Sequence, residues 1–211
     1  MPLFWELDAL FGRATENSIY RKKAIAALKL NEESTVLDVA CGPGFNFKVI
    51  EGYLGGKGKL VGIDISPGVL KLAQQRVKKH GWTNVELVNQ NIVEYEPGML
   101  FDAVLCTFAL TIIPAYKAAL ERMFALLKPE GRFAMIGMKK STWRICRILN
   151  PLMEWTGRWV GIEWGRDVAG YIRSRCREVE YEECFGGWYY ILSTTRASCV
   201  GWGESRRVED N

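Results

Sequence analysis

The sequence predicts an α/β protein with a doubly wound, seven-stranded sheet that is mostly parallel and has one antiparallel strand in a C-terminal hairpin. Short β-branched runs alternate with segments of helical length, which is the pattern of right-handed crossovers in a parallel sheet. Gly186-Gly187 separates the last two runs and suits the positive φ angles of a tight hairpin turn. The length of 211 residues fits one domain. The predicted strands are 35–41, 60–66, 85–91, 101–109, 132–138, 178–185 and 188–196.

Helices are predicted between these strands. Ser66 is suited to the N-cap and Pro67 to the first position of one helix, and Gly81 is suited to its end. His80 is therefore expected in a last helical turn. The predicted helices are 16–30, 45–54, 67–79 and 114–127.

These elements predict a single domain over residues 1–196. Within it, 1–33 is expected to be a leading helical segment and 139–177 a lid or surface insertion. The polar end of the chain, 197–211, has little to bury, and we expect it to be a mobile tail.

Composition excludes several classes of protein. The content of 48% hydrophobic and 25% charged residues is that of an ordinary soluble domain. Residues 1–13 lack the features of a secretory signal, so a cytoplasmic location is expected. The six cysteines include no C-x-x-C pair and there is one histidine, so we expect no metal site and reduced cysteines.

The first predicted strand leads directly into a glycine-rich turn. Its sequence is Val-Leu-Asp-Val-Ala-Cys, followed by Gly42-Pro43-Gly44, and such glycines let the backbone approach a ligand closely. Asp64 ends the second strand about 20 residues later, where a carboxylate can accept hydrogen bonds from both hydroxyls of a ribose. Phe47 stands where a dinucleotide-binding loop would have a third glycine. The pattern therefore favours an adenosine ligand without a diphosphate.

Four stretches in order resemble the motifs of class I S-adenosylmethionine-dependent methyltransferases. The glycine loop and Gly62-Ile63-Asp64-Ile65-Ser66 resemble the first two motifs. Residues 101–108 resemble the fourth-strand motif, and residues 126–132 resemble the family's "LLKPGG" turn. The resemblance implies S-adenosyl-L-methionine as the cofactor and S-adenosyl-L-homocysteine as the product.

The resemblance also implies roles for individual residues. Gly42 and Gly44 would face the methionine moiety, Asp38 would orient its amino group, and Asp64 would hold the ribose. Asn91, with the backbone of Ile92, would accept the adenine amino group, since an amide oxygen can replace the family's usual carboxylate. Thr107 either lies near the transferred methyl group or is an ordinary strand residue. The full predicted cofactor set is Asp38, Ala40, Gly42, Gly44, Asp64, Ile65, Asn91, Ile92 and Thr107.

Residues 139–177 form a basic, aromatic segment on the expected acceptor side. They hold nine Lys or Arg and three acidic residues, a net charge of +6, although the whole chain carries +4. One interpretation is an ordinary amphipathic helix on the sheet; the other is a lid over an apolar pocket or a surface that rests on an anionic membrane. Asn150-Pro151 is expected to break the helix. The residues assigned to this substrate or membrane surface are Trp143, Arg144, Arg147, Trp155, Arg158, Trp159 and Trp164.

The acceptor is less well defined by the sequence. Residues 8–12 and 108–114 resemble motifs of bacterial phospholipid N-methyltransferases, so phosphatidylethanolamine-type N-methylation is the first expectation. Quinone C-methyltransferases and small thiol methyltransferases share the same frame and remain alternatives. A non-catalytic adenosine-binding protein and an NAD-dependent oxidoreductase are alternatives of a different class.

Methyl transfer requires no nucleophile from the protein, because alignment of the reactants supplies much of the rate. Candidate proton acceptors are Tyr20, Tyr189, Tyr190, Glu163 and Asp167. A lipid acceptor would bring the protein into peripheral contact with a membrane. Nucleic acid is not expected as a partner, since no binding module is recognised. The oligomeric state stays open.

Overall fold

The computed structural model describes residues 18–159 and 161–202, which form one seven-stranded sheet. The strands are β1 (Thr35–Val39), β2 (Lys59–Asp64), β3 (Val85–Asn89), β4 (Phe101–Thr107), β5 (Leu127–Met138), β6 (Glu180–Cys184) and β7 (Tyr189–Thr195). Their order is β3-β2-β1-β4-β5-β7-β6. β7 runs antiparallel to β5 and β6, and the other neighbouring pairs are parallel. The predicted fold class is confirmed.

Helices cover both faces of the sheet. Val36, Leu60 and Leu105 point towards the face that carries the first three helices, while Leu37, Val61 and Val104 point to the other face. Alternate residues of these strands are thus buried on both sides, as in a doubly wound fold. The helices are α1 (Ile19–Ala26), α2 (Phe47–Leu54), α3 (Pro67–His80), α4 (Tyr116–Ala125), α5 (Asn150–Trp159) and α6 (Val168–Arg173).

The ends of α3 follow the sequence prediction closely. Pro67 is its first residue, and Gly81 caps it in the left-handed region at φ 69°. His80 lies in the last turn and stacks on Trp82. The side chain of Ser66 forms no capping hydrogen bond; instead the carboxylate of Asp64 accepts the Ser66 backbone N–H.

The strand order reverses between β1 and β4, and ligands of open α/β sheets bind at the carboxyl ends of the strands at such a point. Asp38 lies near the carboxyl end of β1, and Thr107 ends β4 beside it. Met138 pairs with Tyr189, so β5 ends and the antiparallel β7 begins at this same edge.

The segment 139–177 starts at the carboxyl end of β5 and ends near the amino end of β6, so it runs from one end of the strands to the other. A short 3₁₀ turn, Cys146–Leu149, runs directly into α5 at Asn150, so the helix type changes at the predicted break but the helical backbone is not interrupted there. Arg173 lies over the ring of Tyr181, and Arg175 lies over the ring of Tyr171. Both arginines are close in sequence to Cys176, which forms a disulfide with Cys199 after β7. The basic residues, which were expected on a single surface, are therefore divided between the carboxyl and the amino ends of the strands.

Two expectations for the cysteines and the C-terminal end are wrong. Cys176 and Cys199 face each other in an antiparallel bridge and form a disulfide, which their 23-residue separation in the sequence could not show. The ring of Trp202 is buried against Phe124, so this side chain anchors the start of the predicted mobile tail to the core, although Ala197, Val200 and Gly201 are exposed. Residues 203–211 lie outside the described part, as do residues 1–17 with the start of the predicted leading helix and the motif at 8–12. In the described residues, no helix has the length and apolar character to cross a membrane.

Candidate functional site

The loop after β1 has an unusual backbone. Ala40, Gly42 and Gly44 all lie in the left-handed region, with φ values of 52°, 58° and 79°. A Cβ on Gly44 would lie 2.6 Å from the ring of Phe47, whereas a Cβ on Gly42 would meet nothing closer than 3.9 Å. Gly44 thus lets the loop pack on α2, and Gly42 leaves its backbone approachable. Ala40 adopts a conformation that is costly for a residue with a side chain, a feature that tends to occur at ligand sites.

The Asp64 carboxylate joins two loops at the end of β2. One oxygen accepts the backbone N–H of Gly42 at 2.9 Å, and the other accepts that of Ser66 at 2.9 Å. Each oxygen keeps a further lone pair, so the carboxylate can also accept two hydroxyl hydrogen bonds. Ile65 follows it with 72% of its surface exposed, which provides an apolar contact beside the carboxylate.

A buried polar network lies where β1 and β4 end. Asp38 is fully buried, and both its oxygens accept hydrogen bonds from Asn46 Nδ2, at 2.9 and 3.0 Å. Asn46 also donates to Thr107 Oγ1 at 3.1 Å. From α1, Arg21 Nη1 donates to Asn46 Oδ1 at 2.7 Å and to Thr107 Oγ1 at 2.8 Å. The network brings the predicted residues Asp38 and Thr107 together.

Burial controls the protonation of Asp38. It raises the pKa of this carboxyl group from its ordinary 3.8 to about 7, although the Asn46 hydrogen bonds and the positive charge of Arg21 oppose the shift. A positively charged group close to Asp38 would lower this pKa and favour the ionised form.

Arg21 and Asn46 were not identified from the sequence. Neither residue is in the predicted cofactor set, and Arg21 lies in a helix with no local motif. The hydrogen-bond partners of Arg21 are Asn46, 25 residues away, and Thr107, 86 residues away, so the spacing of residues in the sequence does not reveal these contacts.

The predicted adenine contacts lie at the same edge but make other interactions. Asn91 Oδ1 accepts the backbone N–H of Val93 at 3.1 Å and starts a 3₁₀ turn. Ile92 is buried in the core. Asn89, at the end of β3, donates to the backbone carbonyl of Asp64 at 3.0 Å. Asn91 keeps a second lone pair on its amide oxygen, so its adenine role stays a prediction.

Aromatic side chains continue the site beyond Thr107. We use the name aromatic wall for a cluster of four aromatic residues and one methionine, which pack together beside the ends of β4, β5 and β7: Phe108, Met138, Trp164, Trp188 and Tyr189. Phe108 has a φ of 62°, and its ring meets that of Tyr189 edge to face at 5.2 Å. None of the five side chains carries a formal charge, so this side of the site suits an apolar group.

Of the five candidate proton acceptors, Tyr189 belongs to the wall and Tyr20 lies beside it. The ring of Tyr20 meets Tyr189 edge to face at 6.2 Å, and burial raises the pKa of Tyr189. Tyr190 points to the opposite face, where burial raises its pKa and its hydroxyl has no hydrogen-bond partner in the described residues. Glu163 pairs with Arg166 at 2.6 Å, and Asp167 caps α6 through the Gly170 N–H. Glu163 and Asp167 are thus already engaged, and Tyr190 lies on the face of the sheet opposite Tyr189.

The tryptophans of the acceptor-side segment divide between core and surface. Trp164 is only 8% exposed and belongs to the aromatic wall, so it does not face a membrane, and its role on the substrate side stays a prediction. Its indole lies against α5 at Gly157, where any Cβ would clash with Nε1. Trp143 and Trp155 are exposed. Trp159 ends α5, but its side chain lies outside the described residues.

Comparison with known proteins identifies relatives by sequence. A family model described as a methyltransferase domain matches residues 30–171. Demethylmenaquinone methyltransferase from Listeria welshimeri is 33% identical over 118 residues, which are 56% of this chain and 50% of that protein. The enzyme of the same name from Oceanobacillus iheyensis is 32% identical over 125 residues, 58% of this chain and 52% of that protein. The chain thus spans about half the length of the curated relatives it matches.

Solved structures share the fold at lower identity. The N-methyltransferase NodS from Bradyrhizobium japonicum, in complex with S-adenosyl-L-homocysteine, has a TM-score of 0.62 at 18% identity, over 85% of this chain and 88% of that chain. A SAM-dependent methyltransferase from Aquifex aeolicus has a TM-score of 0.58 at 20% identity, over 83% and 88%. At these identities the similarity shows the fold alone.

The buried carboxyl group of Asp38 predicts a specific dependence of stability on pH. Its pKa is 3.8 in an ordinary environment and about 7 in the folded protein, so the folded state holds the proton more tightly. The stability that proton binding by Asp38 adds to the folded state is complete below pH 3.8 and is lost as the pH rises through about 7. Asp38→Asn should therefore gain stability relative to the wild type across this range, as measured by urea unfolding without ligand.

Asp102→Asn provides a control of opposite sign. Burial raises the pKa of Asp102, but hydrogen bonds from Lys128 and Thr35 outweigh burial and lower the pKa overall. The stability contributed by Asp102 should therefore be lost as the pH falls. An Asp38→Asn difference that does not change with pH would contradict the raised pKa.

Proposed function

The chain belongs to the methyltransferase-domain family, and we propose that it is an S-adenosylmethionine-dependent methyltransferase that methylates a ring carbon of a lipophilic, demethylmenaquinone-type acceptor. The observation that carries the proposal is the sequence identity of 32–33% to proteins named demethylmenaquinone methyltransferase. It favours the quinone alternative over the phospholipid N-methylation expected first.

The residues at the carboxyl edge fit the cofactor. S-adenosylmethionine supplies a methyl group already activated on a sulfonium sulfur. Asp64 would accept hydrogen bonds from the ribose hydroxyls, and the approachable backbone at Gly42 would border the methionine moiety. Asp38 would face the ammonium group, whose charge favours the ionised carboxylate, while Arg21 supplies positive charge suited to the methionine carboxylate.

The aromatic wall supports a planar, apolar acceptor. Phe108 and Tyr189 lie directly beyond Thr107, where their rings can orient a flat ring and exclude water. A ring carbon is nucleophilic only when the ring is electron-rich, so the hydroquinone form is the proposed reactant. The ring carbon would form its bond to the methyl carbon as the carbon–sulfur bond breaks and S-adenosyl-L-homocysteine leaves, and the ring carbon would then lose its proton to bulk solvent. Alignment is the protein's main contribution.

The wall alone does not decide between a quinol and an amine acceptor. Aromatic faces also attract methylated ammonium groups, which are the products of phospholipid N-methylation. The identity of the relatives is what favours the ring. An assay must therefore compare the two acceptors directly.

Asp64→Ala is expected to weaken S-adenosylmethionine binding by tenfold or more. Two charge-assisted hydrogen bonds to ribose would be lost, each worth roughly 1.5–3 kcal/mol. Isothermal titration measures the change. Glu86→Ala is the matched control, because it removes one negative charge from an exposed ion pair with Lys59 on the same sheet. Equal affinities of the wild type and Asp64→Ala would remove Asp64 from the site.

The acceptor is tested with methyl-labelled S-adenosylmethionine and two substrates in detergent micelles. Reduced demethylmenaquinone should acquire the label on a ring carbon, as identified by mass spectrometry. Phosphatidylethanolamine should stay unlabelled in the parallel reaction. Label on the headgroup nitrogen, with none on the quinol, would reverse the assignment.

Tyr189 is expected to shape the acceptor side rather than to take a proton, because burial raises its pKa. Tyr189→Phe keeps the ring and should change kcat by less than about threefold, whereas loss of a general base typically costs about 100-fold or more. Tyr189→Ala removes the ring contacts with Phe108 and should raise KM for the acceptor. A large fall in kcat for Tyr189→Phe would instead identify Tyr189 as the base.

A further inference from the structure

The loop between β5 and α5 holds large apolar side chains in solvent. We call residues 142–149 the tip loop. Ile145 is 83% exposed and Ile148 is 76% exposed, and Trp143 and Leu149 are about half exposed. Leu152 is also exposed, one helical turn beyond Ile148. A contiguous group of this kind marks a surface that interacts with another apolar surface.

The base of the tip loop is held by a set of partly buried hydrogen bonds. Asn150 accepts the backbone N–H of Ser141 at 3.0 Å and donates to the Ser141 carbonyl at 2.9 Å. Trp188 Nε1 donates to the same Asn150 oxygen at 3.0 Å, and Ser141 Oγ donates to the Gly186 carbonyl at 2.6 Å. The tip loop is therefore anchored at its base, although its side chains are exposed. The fold positions these apolar side chains outward.

Basic residues alternate with the apolar ones. Arg144 and Arg147 are exposed on the tip loop, and Arg158 is exposed on α5. Among the described residues none of these three arginines forms an ion pair, whereas the nearby Lys139 and Lys140 are paired with Glu183 and Glu154. The tip loop thus presents uncompensated positive charge beside aliphatic groups. Anionic lipid headgroups above acyl chains complement both features.

We infer that the tip loop docks the protein on an anionic lipid bilayer, with Ile145 and Ile148 in the acyl boundary and Arg144 and Arg147 at the headgroups. Trp188 belongs to the aromatic wall and also bonds Asn150 at the base of the loop, so the docked surface adjoins the acceptor side. A lipophilic acceptor could then pass from the bilayer to the wall. This last step rests on the proposed function, but docking itself does not.

Other occupants fit these observations less well. A second copy in a symmetric contact would bring the same arginines together, which is unfavourable. Nucleic acid would meet the charge and could stack on Trp143, but the most exposed side chains of the tip, Ile145 and Ile148, offer no stacking surface for bases. The aliphatic character of the tip favours acyl chains.

The test is co-sedimentation of the full chain with vesicles that contain no methyl acceptor. One set is equimolar phosphatidylcholine and phosphatidylglycerol, and the other is phosphatidylcholine alone. The wild type should bind the anionic vesicles at low salt and weaken at roughly 1 M salt. The double variant Arg144→Glu/Arg147→Glu should bind at least about 30-fold more weakly, since the loss of each basic residue costs about fivefold and the introduced carboxylates are repelled by the anionic surface. Ile145→Ser/Ile148→Ser should also bind at least about tenfold more weakly, because two aliphatic side chains no longer insert.

The matched control is Lys78→Glu/Lys79→Glu, with the same change in net charge at exposed positions in the last turn of α3. It should bind vesicles as the wild type does. All variants should retain affinity for S-adenosylmethionine, which verifies the fold. A wild type that stays in the supernatant, or a control that loses as much binding as the arginine variant, overturns the proposal. Self-association that the serine variant abolishes, in the absence of vesicle binding, would identify a second copy instead. Vesicle binding without quinol methylation would leave docking intact and remove only the proposed acceptor.

Discussion

The buried carboxyl group of Asp38 is the constraint on which the site depends. A carboxylate in the middle of a sheet needs hydrogen-bond donors to replace water, because an unpaired buried charge is strongly unfavourable. Asn46 supplies both hydrogen bonds, and Arg21 holds Asn46 and Thr107 from α1. The glycine loop, the end of β4 and the first helix are thereby fixed relative to one another around one ionisable group.

The same network links structure to ligand chemistry. With its pKa raised to about 7, Asp38 is poised between its neutral and ionised forms near neutral pH. A positively charged ligand group would favour the ionised form, so binding energy would offset part of the cost of burial. Asp64 differs, because it is only partly buried and its two oxygens already accept backbone N–H groups from two loops. One carboxylate organises the loops before a ligand arrives, and the other responds to the ligand's charge.

The sequence predicted what depends on local spacing and missed what depends on distant contacts. Strand-end positions such as Asp64 follow from the period of strands and turns. Arg21 could not be found, since its partners come from other parts of the chain. Tyr189 and Tyr190 were equal candidates in sequence, but neighbours on a strand face opposite sides, and only the position of β7 beside β5 decides which of them reaches the wall. The Cys176–Cys199 disulfide likewise depends on the return of the chain after β7.

The segment after β5 shows how a helical pattern can combine two surfaces. One interpretation of its sequence was a single amphipathic helix on the sheet, yet Trp164 packs inward against Gly157 while Ile145 and Ile148 are exposed. Inward packing needs a residue without a side chain on α5, and outward presentation needs the polar anchors of Asn150 and Ser141. Both requirements are met by small or polar residues that hydrophobic periodicity does not register. The segment can therefore complete the aromatic wall with one side and present an apolar, basic tip with the other.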